Sequence, residues 1–404
     1  MAKVRPFKAF FYNPQKIKTY ENVFVPPYDV ISNDEKKRFF KKSPYNFARI
    51  ILGKTKKDGY KTVARRFREW QKKNILVQDF KECFYFVEQS FPHQGHKVHR
   101  YCIALTVSLA DFKKRYVRPH EHTLEAPKSD RLKILKACQA NLSPVFMMYE
   151  DSTRFLEKSI LKGCHRPWIQ ARDHHGVVNK VWKIADDRLI AQIQKKLSNK
   201  IFYIVDGHHR FATALRYREL QGMSGTHDFV LTMLANMSDP ALVINPIYRL
   251  LPKTSDFDKG NYLKTLESLF YIQKKKKISN LKPHQWGILF SKDPYFYELS
   301  LKDKKRILEK MKGSKEVKAL DVAILQQVII PGPYISSLEY IRGVGEPFQK
   351  ALKLIRSGKS EVLWFVKEPT VQQLKKVSDV QEVMPPKSTY FYPKLLSGTL
   401  IRIL

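Results

Sequence analysis

The sequence predicts a mixed α+β (α/β) fold, on three observations. Short runs rich in β-branched and aromatic residues alternate with segments of helical periodicity along all 404 residues. Hydrophobic residues make up 43% of the chain, enough for a sizeable buried core and too many for a disordered one. Residues 201–215 run as an apolar strand through an Asp-Gly turn into an amphipathic segment.

The elements follow in chain order. Phe24 to Ile31 carries Pro26 and Pro27, which hold the backbone extended just before Tyr28 and Asp29. Asn33-Asp34 is a helix start, with Lys36 to Phe40 following. Tyr60 to Lys73 places Val63, Phe67 and Trp70 on one helical face. Cys83 to Phe91 and Tyr101 to Leu109 read as strands joined through a turn at Gly95. Residues 118–131 form a polar stretch, with a helix expected after it that turns Leu132, Leu135 and Cys138 inward. Asp228 to Met237 reads as a buried strand and Leu242 to Leu251 as another. From about residue 252 the pattern changes to a lysine-rich segment. A hairpin is expected at Gly287–Phe290 and Tyr295–Leu299, a strand at Val362–Val366, a helix near Val371–Val377 and a final strand at Thr399–Leu404. Two domains result, residues 1–250 and 251–404. No repeat with a period of 20–50 residues is evident.

No run of 18 or more apolar residues occurs, so no membrane span is expected, and the N-terminal residues lack an apolar run of signal-peptide length. A cytoplasmic protein is the expectation. Cys83, Cys102, Cys138 and Cys164 show no C-x-x-C spacing and read as reduced core residues. The net charge of +36 makes nucleic acid a candidate partner. The lysines are dispersed, however, and the dense run Lys274–Lys277 is what a solvated face also gives.

Asp206-Gly207-His208-His209-Arg210 is the most pointed motif. Phe211, Ala214 and Leu215 fall at i, i+3 and i+4, so His208, His209 and Arg210 sit in the first turn of a helix. That turn offers backbone N–H groups and the positive end of the helix dipole, and an arginine fork completes a seat for phosphate. Asp206 would serve as metal ligand or as acid/base. An N-cap aspartate before a turn glycine explains Asp206 and Gly207 without function. It does not explain cationic groups where the dipole disfavours them.

Three further clusters compete with ordinary loop readings. His120 and His122 share a face if extended, with Glu121 opposite as a candidate base among basic groups. Tyr28-Asp29 follows the rigid proline pair. Lys387-Ser388-Thr389 resembles the end of a P-loop, but the glycines are missing and Pro385 and Pro386 remove the backbone donors such a loop needs.

With these motifs in hand, the chain resembles the domain-of-unknown-function 1015 family over nearly its whole length. The resemblance rests on Pro26–Ile31, Tyr85–Phe91, His120-Glu121 with Thr123, Asp130-Arg131, and Asn141 with Ser143-Pro144. It continues through Asp206–Arg210, Met233–Pro240 and Met384–Lys394. The Asp-Gly-His-His-Arg segment is similar to that of the ParB/sulfiredoxin-like superfamily, which includes the free-serine kinases. The resemblance implies a ParB/sulfiredoxin-like core with a large insertion and a C-terminal α+β domain. It implies a small-molecule kinase using ADP or ATP with Mg2+ on L-serine or a similar small hydroxyl compound. Gly207, His208, His209 and Arg210 would hold phosphate, Asp206 would bind the metal, and Asp29, Glu121 and Asp206 would be catalytic. Tyr28, His120, Asp130, Arg131 and Lys387 would border the substrate. The alternative is a nucleotide- or nucleic-acid-binding protein without kinase activity. The chain departs from the family at Phe211, Ala212, Tyr248 and Pro386.

Overall fold

A computed structural model describes residues 2–55, 58–121, 123, 125–223 and 225–404, with the side chains of 125–127 left out. It is mixed α+β, with one large mixed sheet and several smaller ones. Its contacts divide the chain into two units. The first holds residues 1–119, 123–242 and 393–404, and the second holds 120–122 and 243–392.

The first unit is built on a nine-stranded sheet. Its order is Val117–Arg118, Phe202–Asp206, Val145–Tyr149, Phe229–Asn236, His96–Ser108, Phe84–His93, Val178–Ile184 and Ile169–Arg172, with Val4–Arg5 on His96–Ser108. Val145–Tyr149 and Phe229–Asn236 pair in parallel and every residue in both is buried, as continuous apolar runs in a covered parallel pair require. The expected hairpin is present, with its second strand starting at His96 rather than Tyr101. Its turn residues Gln94 and Gly95 both take positive φ, the conformation that matches the twist of two paired strands.

Helix Asp187–Ser198 buries Ile190, Ile193 and Leu197 in the same core as Phe84, Phe86, Ile204, Phe211 and Ala214. Helix Glu125–Cys138 packs on helix His208–Leu220 and on Lys61–Lys72. It starts inside the stretch expected to be a polar loop, so Lys128, Asp130 and Arg131 are helical. Pro127 falls in its first turn, where the missing N–H does no harm. Leu135 and Cys138 are buried as expected, while Leu132 is half-buried. Helix Asn33–Lys42 is capped by Ser32 and Glu35 acting reciprocally, one residue before the expected start.

The last residues return to the first unit. The expected final strand is reduced to Arg402–Ile403, paired with Ala140–Asn141, with Ile401 bridging Phe10.

In the second unit an antiparallel six-stranded sheet runs Phe270–Lys275, Phe296–Leu301, Gln285–Phe290, Ser360–Val366, Ile247–Pro252 and Glu339–Arg342. Helix Gly345–Arg356 covers it with Ala351, Leu352 and Ile355 against Leu250, Leu289 and Phe365. The single strand expected at 242–251 is two, Val243–Asn245 and Ile247–Pro252, broken at Pro246, whose ring removes a ladder donor. No described helix is long and apolar enough to cross a membrane.

Candidate functional site

Strand Phe202–Asp206 carries a register irregularity between Ile204 and Asp206 against Val145–Tyr149. A bulge of this kind bends a strand end and re-aims its side chain. Gly207 follows at φ 90°, and helix His208–Leu220 begins at once, as the spacing predicts. Only glycine suits this corner. A Cβ here would lie 2.8 Å from Arg210 Nε and 2.9 Å from its Cζ, because the guanidinium folds back over the turn.

Arg210 donates to the Pro144 carbonyl and, through Nη2 at 3.1 Å, to Asp206 Oδ2. The other carboxylate oxygen of Asp206 faces Lys394 Nζ at 3.4 Å. Burial alone would push the Asp206 carboxyl up. The charges of Lys394, Arg210 and His208 override it and hold the group well below the usual carboxylate range. Lys394 is held in turn by its own chain. Gln89 Nε2 donates to its carbonyl at 3.2 Å, and fully buried Arg100 donates to the Pro393 carbonyl and to Gln89.

Arg210 also lines a small cleft of the first unit, partly open to solvent, with a cavity volume of about 60 Å³. Tyr28, Arg131, Asn141, Ser143 and Thr213 line it as well, above a floor that includes Ile134, Leu142 and Val230. Motif residues far apart in sequence thus meet at one cleft. The Arg131 guanidinium lies over the Tyr28 ring, 3.9 Å from its centroid. It donates at 3.2 Å to the Ile51 carbonyl and at 3.1 Å to Asp130. Asp130 also accepts from Lys54 at 2.7 Å and from the Tyr60 hydroxyl. Its carboxyl therefore stays well below the usual range despite burial. Burial, with the Asp29 charge, pushes the Tyr28 hydroxyl up to about 12, so it acts as a neutral donor. Asn141 is partly structural: its Oδ1 accepts from the Leu231 amide at 2.9 Å.

Of the sequence-predicted residues, Tyr28, Arg131 and Arg210 line this cleft. Asp206, Gly207, buried His208 and half-buried His209 lead up to Arg210 along the turn. Asp130 acts behind Arg131. Asp29 is exposed, on the short 3-10 turn Tyr28–Val30.

His120, Glu121 and Lys387 gather in the second unit. Buried His120 sits 3.2 Å from the Thr389 hydroxyl, and its carbonyl accepts from the Met384 amide at 2.9 Å. Glu121 bridges Met384 and accepts from the Lys387 amide at 3.4 Å. Lys387 takes φ 56°, a left-handed conformation unusual outside glycine. His120 is not in a strand, and His122 lies outside the described residues.

Lys394 is absent from the sequence-predicted set, although it closes the Met384–Lys394 segment. Its position after Pro393 is the one signal the sequence offers. Among the described residues, no group of three or more His, Cys, Asp or Glu side chains is placed to hold a metal ion. Each oxygen of Asp206 already faces a cation.

Residues 4–323 match the family described as "Protein of unknown function (DUF1015)". The chain belongs to the DUF1015 family. No curated protein matches this DUF1015 chain. Among solved structures, a free serine kinase in complex with AMP is 12% identical, with 71% of this chain and 86% of that chain covered and a TM-score of 0.36. A conserved hypothetical protein from Pyrococcus furiosus is 13% identical, with 72% and 93% covered and a TM-score of 0.35. SbnI with a C-terminal truncation, from Staphylococcus aureus, is 12% identical, with 74% and 86% covered and a TM-score of 0.38. At these TM-scores the likeness carries no weight for the site.

Proposed function

We propose that this DUF1015 chain is a nucleotide-dependent phosphotransferase acting on free serine or a similar small hydroxyl compound. The observation that carries the reading is the convergence of Tyr28, Arg131 and Arg210 on one cleft. Behind Arg210 a glycine-permitted corner opens a helix. The first-turn N–H groups of His208, His209 and Arg210 and the Arg210 fork suit a phosphate chain, and Arg131 stacked on Tyr28 adds a second cation on the cleft wall. A ParB/sulfiredoxin-like core is part of the same proposal.

In the reaction, the substrate hydroxyl oxygen forms a bond to the terminal phosphorus of ADP or ATP. The bond from that phosphorus to the bridging oxygen breaks, releasing AMP or ADP, and the hydroxyl proton passes to a carboxylate. Exposed Asp29, next to cleft-lining Tyr28, is the base of first choice, with Glu121 and Asp206 as the other candidates. The cations of the cleft neutralise charge on the transferring group while it is held in line. Mg2+ would arrive with the phosphates, as it does at sites with few protein ligands, and Asp206 would bind it by releasing one of its two cations.

The test is to incubate the purified protein with L-serine, Mg2+ and ADP or ATP, and to assay for phosphoserine by mass spectrometry. Product that depends on both nucleotide and protein supports the proposal. No product with serine or other small alcohols, together with no heat of ADP binding in calorimetry, rejects it. The nucleic-acid reading draws on the +36 charge alone. Retention of an oligonucleotide at about 0.15 M salt without phosphotransfer would favour it.

A further inference from the structure

We infer that Lys394 is a phosphate-binding residue at the Gly207 corner, joined through Asp206 to cleft-lining Arg210, and that Asp206 is its internal counter-ion, displaced from the lysine when phosphate enters. The inference rests on the proposed anion site and adds to it the residue and the exchange that load it.

The geometry begins with the C-terminal segment. Residues 393–404 return to the first unit, and their first two residues are fixed from below. Arg100 has 0% exposure and directs its guanidinium at the Pro393 carbonyl, while Gln89 holds the Lys394 carbonyl. Gln89 Nε2 is itself fixed on Asn179 Oδ1 at 2.8 Å. Burying an arginine to hold a backbone carbonyl and the Gln89 side chain is a weak route to stability, since the desolvation of its charge offsets much of what its bonds return. It does define where Lys394 stands: its Nζ is 3.4 Å from Asp206 Oδ1, at the bulged end of the strand.

Asp206 divides its oxygens, one toward Lys394 and one 3.1 Å from Arg210 Nη2. Arg210 also faces the cleft. A phosphate there brings more charge and more acceptor oxygens than one carboxylate, so it is the stronger partner for the same two cations. In its absence Asp206 keeps the lysine and arginine pointed at the place the phosphate will take. The ordinary alternative is a purely structural ion cluster that no ligand touches.

The two readings separate in binding experiments on the full chain with Mg2+-free inorganic phosphate and ADP. Lys394→Met should weaken both by about tenfold or more, and Lys394→Arg should restore most of the loss. Asp206→Asn removes the competing anion, so it should tighten Mg2+-free phosphate by about threefold or more. In the wild type, saturating phosphate should slow acylation of Lys394 by acetic anhydride, read by peptide mass spectrometry, which needs no variant to fold. Unchanged affinity in Lys394→Met, weaker Mg2+-free phosphate binding in Asp206→Asn, or unchanged labelling would each overturn the inference. A wild type that binds phosphate but not ADP, with the lysine effects intact, would discard the nucleotide reading and keep Lys394. A wild type that binds neither discards both.

Discussion

Gly207→Ala isolates the corner on which the phosphate seat depends. Two effects add. Holding alanine at φ 90° costs about 1 kcal/mol, because a Cβ crowds the backbone in the left-handed region. The new Cβ would also sit 2.8–2.9 Å from the Arg210 guanidinium, well inside contact distance. The guanidinium must then leave its bonds to the Pro144 carbonyl and to Asp206. Losing charge-assisted bonds of this kind costs about 2 kcal/mol, some of it recovered by water because the site is only partly enclosed. The expected loss is about 3 kcal/mol, or roughly 6–12 °C in Tm for a domain of this size.

Gly95→Ala supplies the control. Gly95 has φ 82° and nothing within 4 Å of an added Cβ, so it bears the backbone cost alone, about 1 kcal/mol. Both variants lower the entropy of the unfolded chain alike, and that effect cancels in the difference. Urea and thermal unfolding of the two variants, followed by circular dichroism, should show Gly207→Ala less stable than Gly95→Ala by about 2 kcal/mol. ADP affinity should fall in Gly207→Ala and hold in Gly95→Ala. Equal losses in the two variants, or full ADP binding by Gly207→Ala, would refute the reasoning.

The remaining predictions concern pH and the charged groups. Burial, then the His175 charge, holds His174 down to about 4, so between about pH 6.5 and 4 the unfolded chain binds a proton there that the folded chain does not. Stability should therefore fall by about 2 kcal/mol between pH 7 and pH 5 in urea titrations, and His174→Gln should flatten that slope. Asp130 is held below its ordinary range, so its contribution is full above about pH 4 and fades as pH drops further. Asp130→Asn should cost about 2 kcal/mol at pH 7, weaken the acid dependence below pH 4, and loosen Arg131 enough to raise the KM for nucleotide. Asp29→Asn should lower kcat about 100-fold or more with little change in ADP affinity, whereas Glu121→Gln should keep most of kcat; the reverse ranking would move the base to Glu121.

Much of the local structure was legible because local rules decide it. The helix after Asp206 followed from Phe211, Ala214 and Leu215, and the hairpin from two β-rich runs around Gly95. The pieces that went astray were settled by competing effects. Charged residues at 125–131 look like a loop, but one face of that helix packs on its neighbours and Arg131 finds Asp130 and Ile51 as partners. Pro246 split what hydrophobicity alone reads as one strand.

The motifs also pointed to Tyr28, Arg131 and Arg210, yet nothing local says that they line one cleft, since that is a property of sheet order and helix packing. Lys394 was least visible. Its role depends on a chain end returning to the first unit and on Arg100 and Gln89, whose partners lie hundreds of residues away in sequence. Asp130 was legible by motif as a possible substrate or cleft residue, and its pairing with Lys54 and with cleft-lining Arg131 was not, because Lys54 lies 76 residues away in sequence.

The central claim is that the corner at Gly207 seats a nucleotide phosphate, and a crystal structure of the protein soaked with ADP tests it most directly. The account predicts a phosphate oxygen within about 3 Å of the Arg210 guanidinium and of a first-turn amide of helix His208–Leu220. ADP bound with its phosphates elsewhere, and Arg210 still paired with Asp206 and the Pro144 carbonyl, would contradict it.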